Sequence, residues 1–312
     1  RTTRVIARFI VYQRERFPVL AHGPLIAAFS ASAMCFSALL RGSGHFPSWP
    51  LLLSGFASSF IFFAQLRIAD EFKDYADDLA YRPYRPVQRG LVSLRELGAV
   101  GVAGALIQLA IALLIDPALC LILAGVWAYF GLMTKEFFVS RWLKAHPVIY
   151  LLSHMFIMPL IDFYVTAFDW LVARVPPPAG LFWFLAVSFV NGIVIEVGRK
   201  IRASEDEERG VETYTVLWGR RAAPLVWLGA VLATGALGIA AAAQIHFALP
   251  GALLLGALAA AAAWSALTFL RRPTHAASKS IELMSGVWTL GMYLSLGVIP
   301  MAVRAGSAFV QR

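Results

Sequence analysis

The chain has 312 residues, 59% of them apolar and 14% charged, with a formal net charge of +9 and a mean hydropathy of +0.70. A soluble domain is about 45–50% apolar and about 25% charged, so this composition excludes a soluble enzyme, a disordered chain and a nucleic-acid module. The positive balance instead fits the cytoplasmic loops of a membrane protein.

Residues 1–17 read as a basic amphipathic helix on the inner membrane surface, because Arg1, Arg4 and Arg8 alternate with Val5, Ile6, Phe9 and Ile10. From residue 18 to 312 the pattern is that of a single transmembrane domain. About nine apolar stretches approach the roughly 20 residues needed to cross a bilayer. They lie at 18–40, 49–69, 92–115, 117–134, 147–172, 180–198, 222–243, 248–270 and 282–303. Turn signals such as Asp116-Pro117 and Pro176-Pro177-Pro178 separate them. The predicted fold is therefore all-α, a polytopic bundle. Cys35 and Cys120 sit inside apolar runs and read as packing residues, with no disulfide or zinc pattern. With the N-terminus inside, 23 of the 27 Lys and Arg residues fall in inner segments and 4 in outer ones. That asymmetry predicts a multi-pass protein of the cytoplasmic membrane with a cytoplasmic N-terminus and an outer C-terminus.

The acids are concentrated. Of 18, six lie in 70–96 and six in 196–212. In the first cluster Glu71, Asp74 and Asp78 are spaced three and four apart, on one helical face beside Asp70. Stacked carboxylates repel unless a cation stands between them, and Mg²⁺ takes oxygen ligands and shares its shell with phosphates. The competing reading is a solvated helix end offset by Lys73 and Arg82. Arg82, Arg85 and Arg89 follow directly, and guanidinium forks suit a phosphate-bearing substrate. An ordinary positive-inside loop would look similar.

In the second cluster Asn191 and Glu196 lie in the inner half of an apolar span, where polar side chains tend to be functional. Arg199, Lys200 and Arg202 follow, then the acidic run Glu205 to Glu208. That run also fits a solvated turn.

These two segments resemble the UbiA superfamily of intramembrane prenyltransferases, and the resemblance covers nearly the whole chain. The family's first motif, Asn-Asp-x-x-Asp-x-x-x-Asp, is matched by Asp70-Glu71-x-x-Asp74-x-x-x-Asp78. Arg85-Pro86, Gly90 and Ser93 match the conserved tail of that motif. Glu196, Asp206, Gly210, Thr213 and Gly219 align with the second motif. The resemblance implies a nine-helix bundle with cytoplasmic motif loops, membrane lipids around it, a polyprenyl diphosphate donor, an acceptor of unidentified class, and Mg²⁺. It implies Asp70, Glu71, Asp74, Asp78, Glu196 and Asp206 as metal ligands, with Asp74, Asp78 and Lys135 in catalysis. Arg82, Arg85, Arg89, Asn191, Arg199, Lys200 and Arg202 are the implied substrate-binding residues. Where the family has aspartates between the positions of Glu196 and Asp206, this chain has Arg199, Lys200 and Arg202. Either Glu196 and Asp206 hold a second metal, or the basic side chains replace it and hold phosphate.

The chemistry implied is departure of pyrophosphate, helped by metal and arginines, with an allylic cation kept behind a dry wall. Phe62, Phe63, Tyr129, Phe137, Phe156 and Tyr164 are candidates for that wall. His154 and the deep Asp162 lie within the fifth span, eight residues apart, too far for direct contact. The alternatives are a terpene cyclase or a phospho-sugar transferase on the same fold, or a small-molecule transporter. Against transport stand the placement of the acids at one face and the lack of two matching halves with interrupted spans.

Overall fold

Long apolar stretches leave the backbone no water to bond to, so they close their hydrogen bonds within themselves as helices. The computed structural model describes residues 2–310, without the side chains of residues 2–5 and 308–310. Arg1, Arg312 and the side chains of Arg4 and Val5 therefore lie outside the described residues.

The helices in chain order are α1 (Thr2–Arg16), α2 (Val19–Leu40), α3 (Trp49–Lys73), α4 (Tyr75–Tyr81), α5 (Leu94–Ile115), α6 (Leu119–Thr134), α7 (Ser140–Ala145), α8 (Pro147–Met155), α9 (Ile157–Trp170), α10 (Leu181–Gly198), α11 (Tyr214–Gln244), α12 (Ala248–Arg271), α13 (His275–Leu296) and α14 (Val298–Val310). Among the described residues, eight stretches are long and apolar enough to cross a membrane. The shorter apolar α6 occupies the place of the fourth expected span. The chain is a multi-pass, all-helical membrane protein.

Two expected spans are broken. The stretch 147–172 divides at Phe156 into α8 and α9, where Pro159 lacks the N–H that would bond the Met155 carbonyl. The last span divides at Gly297 into α13 and α14, with Pro300 just beyond. At Gly297 the chain passes α2 so closely that a β-carbon would lie 2.3 Å from Ser32 Cα. Two further helix starts differ from the apolar stretches, for different reasons. α11 opens at Tyr214, where the Thr213 hydroxyl accepts from Val216 N at 3.2 Å, but Gly219 (φ 84°, ψ 160°) breaks it, so its long apolar part begins just beyond, near the expected start at 222. α13 starts at His275, where Thr274 caps Ala277 N at 3.4 Å.

α2 is central and packs against α3, α9, α13 and α14, while α10 to α13 pack in sequence around it. Phe36 stacks on Phe184 with ring centroids 4.9 Å apart, and Trp227 and Trp288 are fully buried. Cys35 and Cys120 are free, Cys35 deep in this core. At one end of the bundle lie the α3–α5, α6–α8, α10–α11 and α12–α13 connections; this is the motif end. The opposite end is tied by Arg41, whose guanidinium grips Asp169 at 2.6 and 2.9 Å, and by Arg174 on Asp116.

Candidate functional site

α3 runs straight through its apolar part into the first motif, so Asp70, Glu71 and Asp74 occupy its last turn and cap. α4 then carries Asp78. Helical spacing alone would stack these acids, but their partners separate them. Glu71 and Asp78 are both 0% exposed. Glu71 takes the Arg16 guanidinium from α1, and Asp78 takes both Arg82 and Arg85, the former at 2.6 Å. Asp70 has only looser cations, Arg67 at 3.5 Å and Lys73 at 4.0 Å. Asp74 has no ion-pair partner within 4.0 Å among the described residues. Burial raises its carboxyl above the ordinary aspartate range; Lys73 opposes the shift, and Asp70 and Asp78 reinforce it.

The second motif ends α10. Glu196 is clasped by its own helix end, with Arg199 at 2.7 and 2.8 Å and Lys200 at 2.8 Å. Asp206 is elsewhere: it accepts from His275 Nδ1 at 2.7 Å, at the start of α13. The structure does not bring Glu196 and Asp206 together. Arg202 reaches Glu282 at 3.6 Å, and Asn191 accepts from the buried Thr289 hydroxyl at 3.3 Å.

The two motif segments meet. The Tyr84 hydroxyl donates to Glu208 at 2.9 Å. Gly210, with φ +75°, lies against the Tyr81 ring so tightly that a β-carbon would stand 2.5 Å from it. Lys200 is close enough to Asp74, and Arg199 to Asp70, for their charges to act on one another. The carboxylates at the end of α3 and the cations at the end of α10 thus lie within electrostatic reach of one another.

Several predicted residues are spent on the scaffold of this region. Arg89 binds Glu15 of α1 at 2.8 and 3.0 Å and the Tyr84 carbonyl at 2.8 Å. Lys135 is exposed at the end of α6, and the structure does not bring it onto any of the acids. After it, Glu136, Phe137 and Phe138 have φ of 48°, 53° and 60°, a left-handed run that non-glycine residues rarely adopt. That run turns Glu136 inward, where the Tyr150 hydroxyl donates to it at 3.4 Å.

Lys73 enters the sequence reading only as a charge offsetting the acids and Tyr150 not at all, yet their Nζ and hydroxyl are 2.7 Å apart. The contact joins residues 77 apart, and no local spacing announces it. Below Tyr150 the His154 ring stacks on it with centroids 3.9 Å apart, its Nδ1 held by the Tyr150 carbonyl. Of the expected aromatic wall, Tyr129, Phe137 and Phe156 gather here. Phe62 pairs with Tyr164, and Phe63 with Phe29. Asp162 is not near His154; it accepts from the Tyr293 hydroxyl at 3.2 Å, beside Ser188.

Among the described residues, no three His, Cys, Asp or Glu side chains are grouped to hold a metal ion by themselves. The Asp70–Asp74 pair supplies two carboxylates one helical turn apart, which fits a single divalent ion that completes its shell with substrate oxygens. The second motif does not fit a second ion, because Glu196 is clasped by Arg199 and Lys200 while Asp206 is held apart from it on His275.

The profile of the UbiA prenyltransferase family matches residues 15–304. No curated protein matches the sequence. Among solved structures, the chain is similar to a UbiA homolog from Aeropyrum pernix K1 in its apo form, at 17% identity and a TM-score of 0.67. That match covers 90% of this chain and 97% of the other. It is also similar to a structure reported as giving structural and mechanistic insights into the biosynthesis of digeranylgeranylglyceryl phosphate synthase in membranes. There the identity is 14%, the TM-score 0.57, and the coverage 95% and 99%. At these identities the structural matches speak for the fold alone.

Proposed function

Because the chain belongs to the UbiA prenyltransferase family, we propose that it moves a prenyl group from a polyprenyl diphosphate to an acceptor between the ends of α3 and α10. One observation carries this reading. Among the described residues, four of the six motif acids have a tight partner, and Asp70 and Asp74 do not. Asp70 and Asp74 would hold one Mg²⁺. When bound, that ion supplies positive charge to the leaving pyrophosphate.

The remaining work belongs to side chains of the chain itself. Lys200 and Arg199 approach the diphosphate from α10, and Lys73 from α3, as charge-assisted donors. The scissile C–O bond breaks with its electron pair leaving on pyrophosphate. Tyr129, Phe137 and Phe156 shield the resulting allylic cation from water, and the acceptor's nucleophile closes the new bond. Arg82, Arg85 and Asp78 shape the loop that covers the site. Asn191, bonded to Thr289 deeper in the bundle, is the remaining substrate-binding residue in this reading. The motif end faces the cytoplasm in this reading, as the skew of basic residues requires. α1 then lies at the inner surface of the cell membrane, with residues 18–312 as one transmembrane domain and the last helix ending outside.

The test is incubation of purified protein with Mg²⁺, a panel of labelled prenyl diphosphates, and a membrane lipid extract as acceptor source. The expected result is Mg²⁺-dependent consumption of a prenyl diphosphate with label entering lipid. No consumption of any donor overturns the proposal, and label entering only a hydrocarbon points to a cyclase.

A further inference from the structure

The second acid of the first motif faces a cation of the chain itself. Glu71 is fully buried, and its Oε1 accepts from Arg16 Nε at 2.5 Å. Among the described residues its Oε2 has no partner, and neither has the buried Tyr12 hydroxyl, one turn before Arg16 on α1. Arg16 is thus the donor to this carboxylate, with the Tyr12 hydroxyl buried one turn away on the same helix. The rest of α1 is fastened around them. Tyr12 packs with Ile68, Val87, Val92 and Leu97. Arg8 binds Glu96 at 2.8 Å and the Leu91 carbonyl at 3.1 Å, and Glu15 binds Arg89 at 2.8 Å.

A buried carboxylate needs a compensating charge, and at this position of the motif the resemblance supplies a metal. Here a guanidinium already stands there. We propose that Arg16 and Glu71 form a positioning pair: the cation from α1 takes the counter-charge place at Glu71, keeps that carboxylate off the metal, and fixes the turn that presents Asp70 and Asp74. α1 is then a structural wall of the catalytic end of the bundle. What Asp70 and Asp74 hold rests on the function proposed above; the pairing itself does not.

The pair and the ligand roles predict opposite outcomes. Removing one member of a buried ion pair strands the other charge, whereas removing both does not. A metal ligand, by contrast, is not restored by deleting its neighbour. The experiment compares Arg16→Met, Glu71→Gln and the double variant of the full chain. It reads the thermal midpoint, protease cleavage within residues 1–17, and the Mg²⁺ concentration for half-maximal consumption of a labelled prenyl diphosphate. Arg16→Met should lower the midpoint, expose α1 to protease and cut activity roughly 10–100-fold, as loss of a supporting partner does. The double variant should recover most of the midpoint, the protection and the activity, with a Mg²⁺ requirement within about twofold of the parent. A double variant as damaged as the worse single one overturns the proposal. So does a rise of about tenfold or more in the Mg²⁺ requirement of Glu71→Gln. If the parent consumes no donor, the function above fails, and the midpoint and protease readings still decide the pair.

Discussion

At the end of α3, two carboxylates remain open after Arg16, Arg82 and Arg85 have taken the others; at the end of α10, the single acid Glu196 is held by two cations of its own helix end. Both segments began as acidic patterns, yet one presents negative charge to the space between them and the other positive charge. A cation bound at the first and a phosphate bound at the second would complete each other. The difference teaches that an acidic motif is defined by which of its acids stay unpaired, and not by how many it contains.

The comparison breaks most directly at Asp74. Asp74→Asn keeps the shape and removes one of the two open charges, so donor consumption should fall on the order of 10²–10³-fold, the scale of losing one preorganised electrostatic group. The bundle should stay folded, since no ion pair is lost. Activity retained at the same Mg²⁺ dependence would show that both segments are scaffold.

Lys200→Ala probes the opposite side. Losing one charged contact to phosphate should raise the KM for the prenyl diphosphate roughly 10-fold to 100-fold while leaving the Mg²⁺ optimum in place. A titration of donor against Mg²⁺ separates these effects. A shifted Mg²⁺ optimum would assign metal binding to α10 and erase the contrast between the segments.

Gly210→Ala acts on the contact between them. The new β-carbon meets the Tyr81 ring, and the backbone there is left-handed, so the cost should be about 1–3 kcal/mol. Thermal unfolding of the detergent-solubilised protein measures it, and an unchanged midpoint would mean that the loops do not press on each other in solution. Tyr84→Phe is the mildest change. It removes the hydrogen bond to Glu208 and should cost about 0.5–1.5 kcal/mol with donor KM little altered. Burial, and then the bond to Glu208, raises the Tyr84 phenol above its ordinary range. The phenol therefore stays protonated, and the bond persists, at pH values where a free tyrosine would ionise.

The membrane-spanning helices could be read from the sequence because each depends on local content. An apolar stretch of sufficient length satisfies its own backbone, whatever its neighbours do. The motif spacing was legible for the same reason, since three and four residues along one helix share a face. Even the lesser misreadings were local: hydropathy loses the capped, polar first turns of α13, and it does not register that Pro159 and Pro300 break spans of uniform apolarity. What the tertiary structure decided was the assignment of partners. Arg16 meets Glu71 across 55 residues, Asp206 meets His275 across 69, and Lys73 meets Tyr150 across 77. A charged side chain on a long flexible stem can serve any of several opposite charges. Only the packing of α1 on the first motif, and of α13 beside the second, brings one of them within hydrogen-bond distance, and at Glu71 burial also keeps water from taking the others' part.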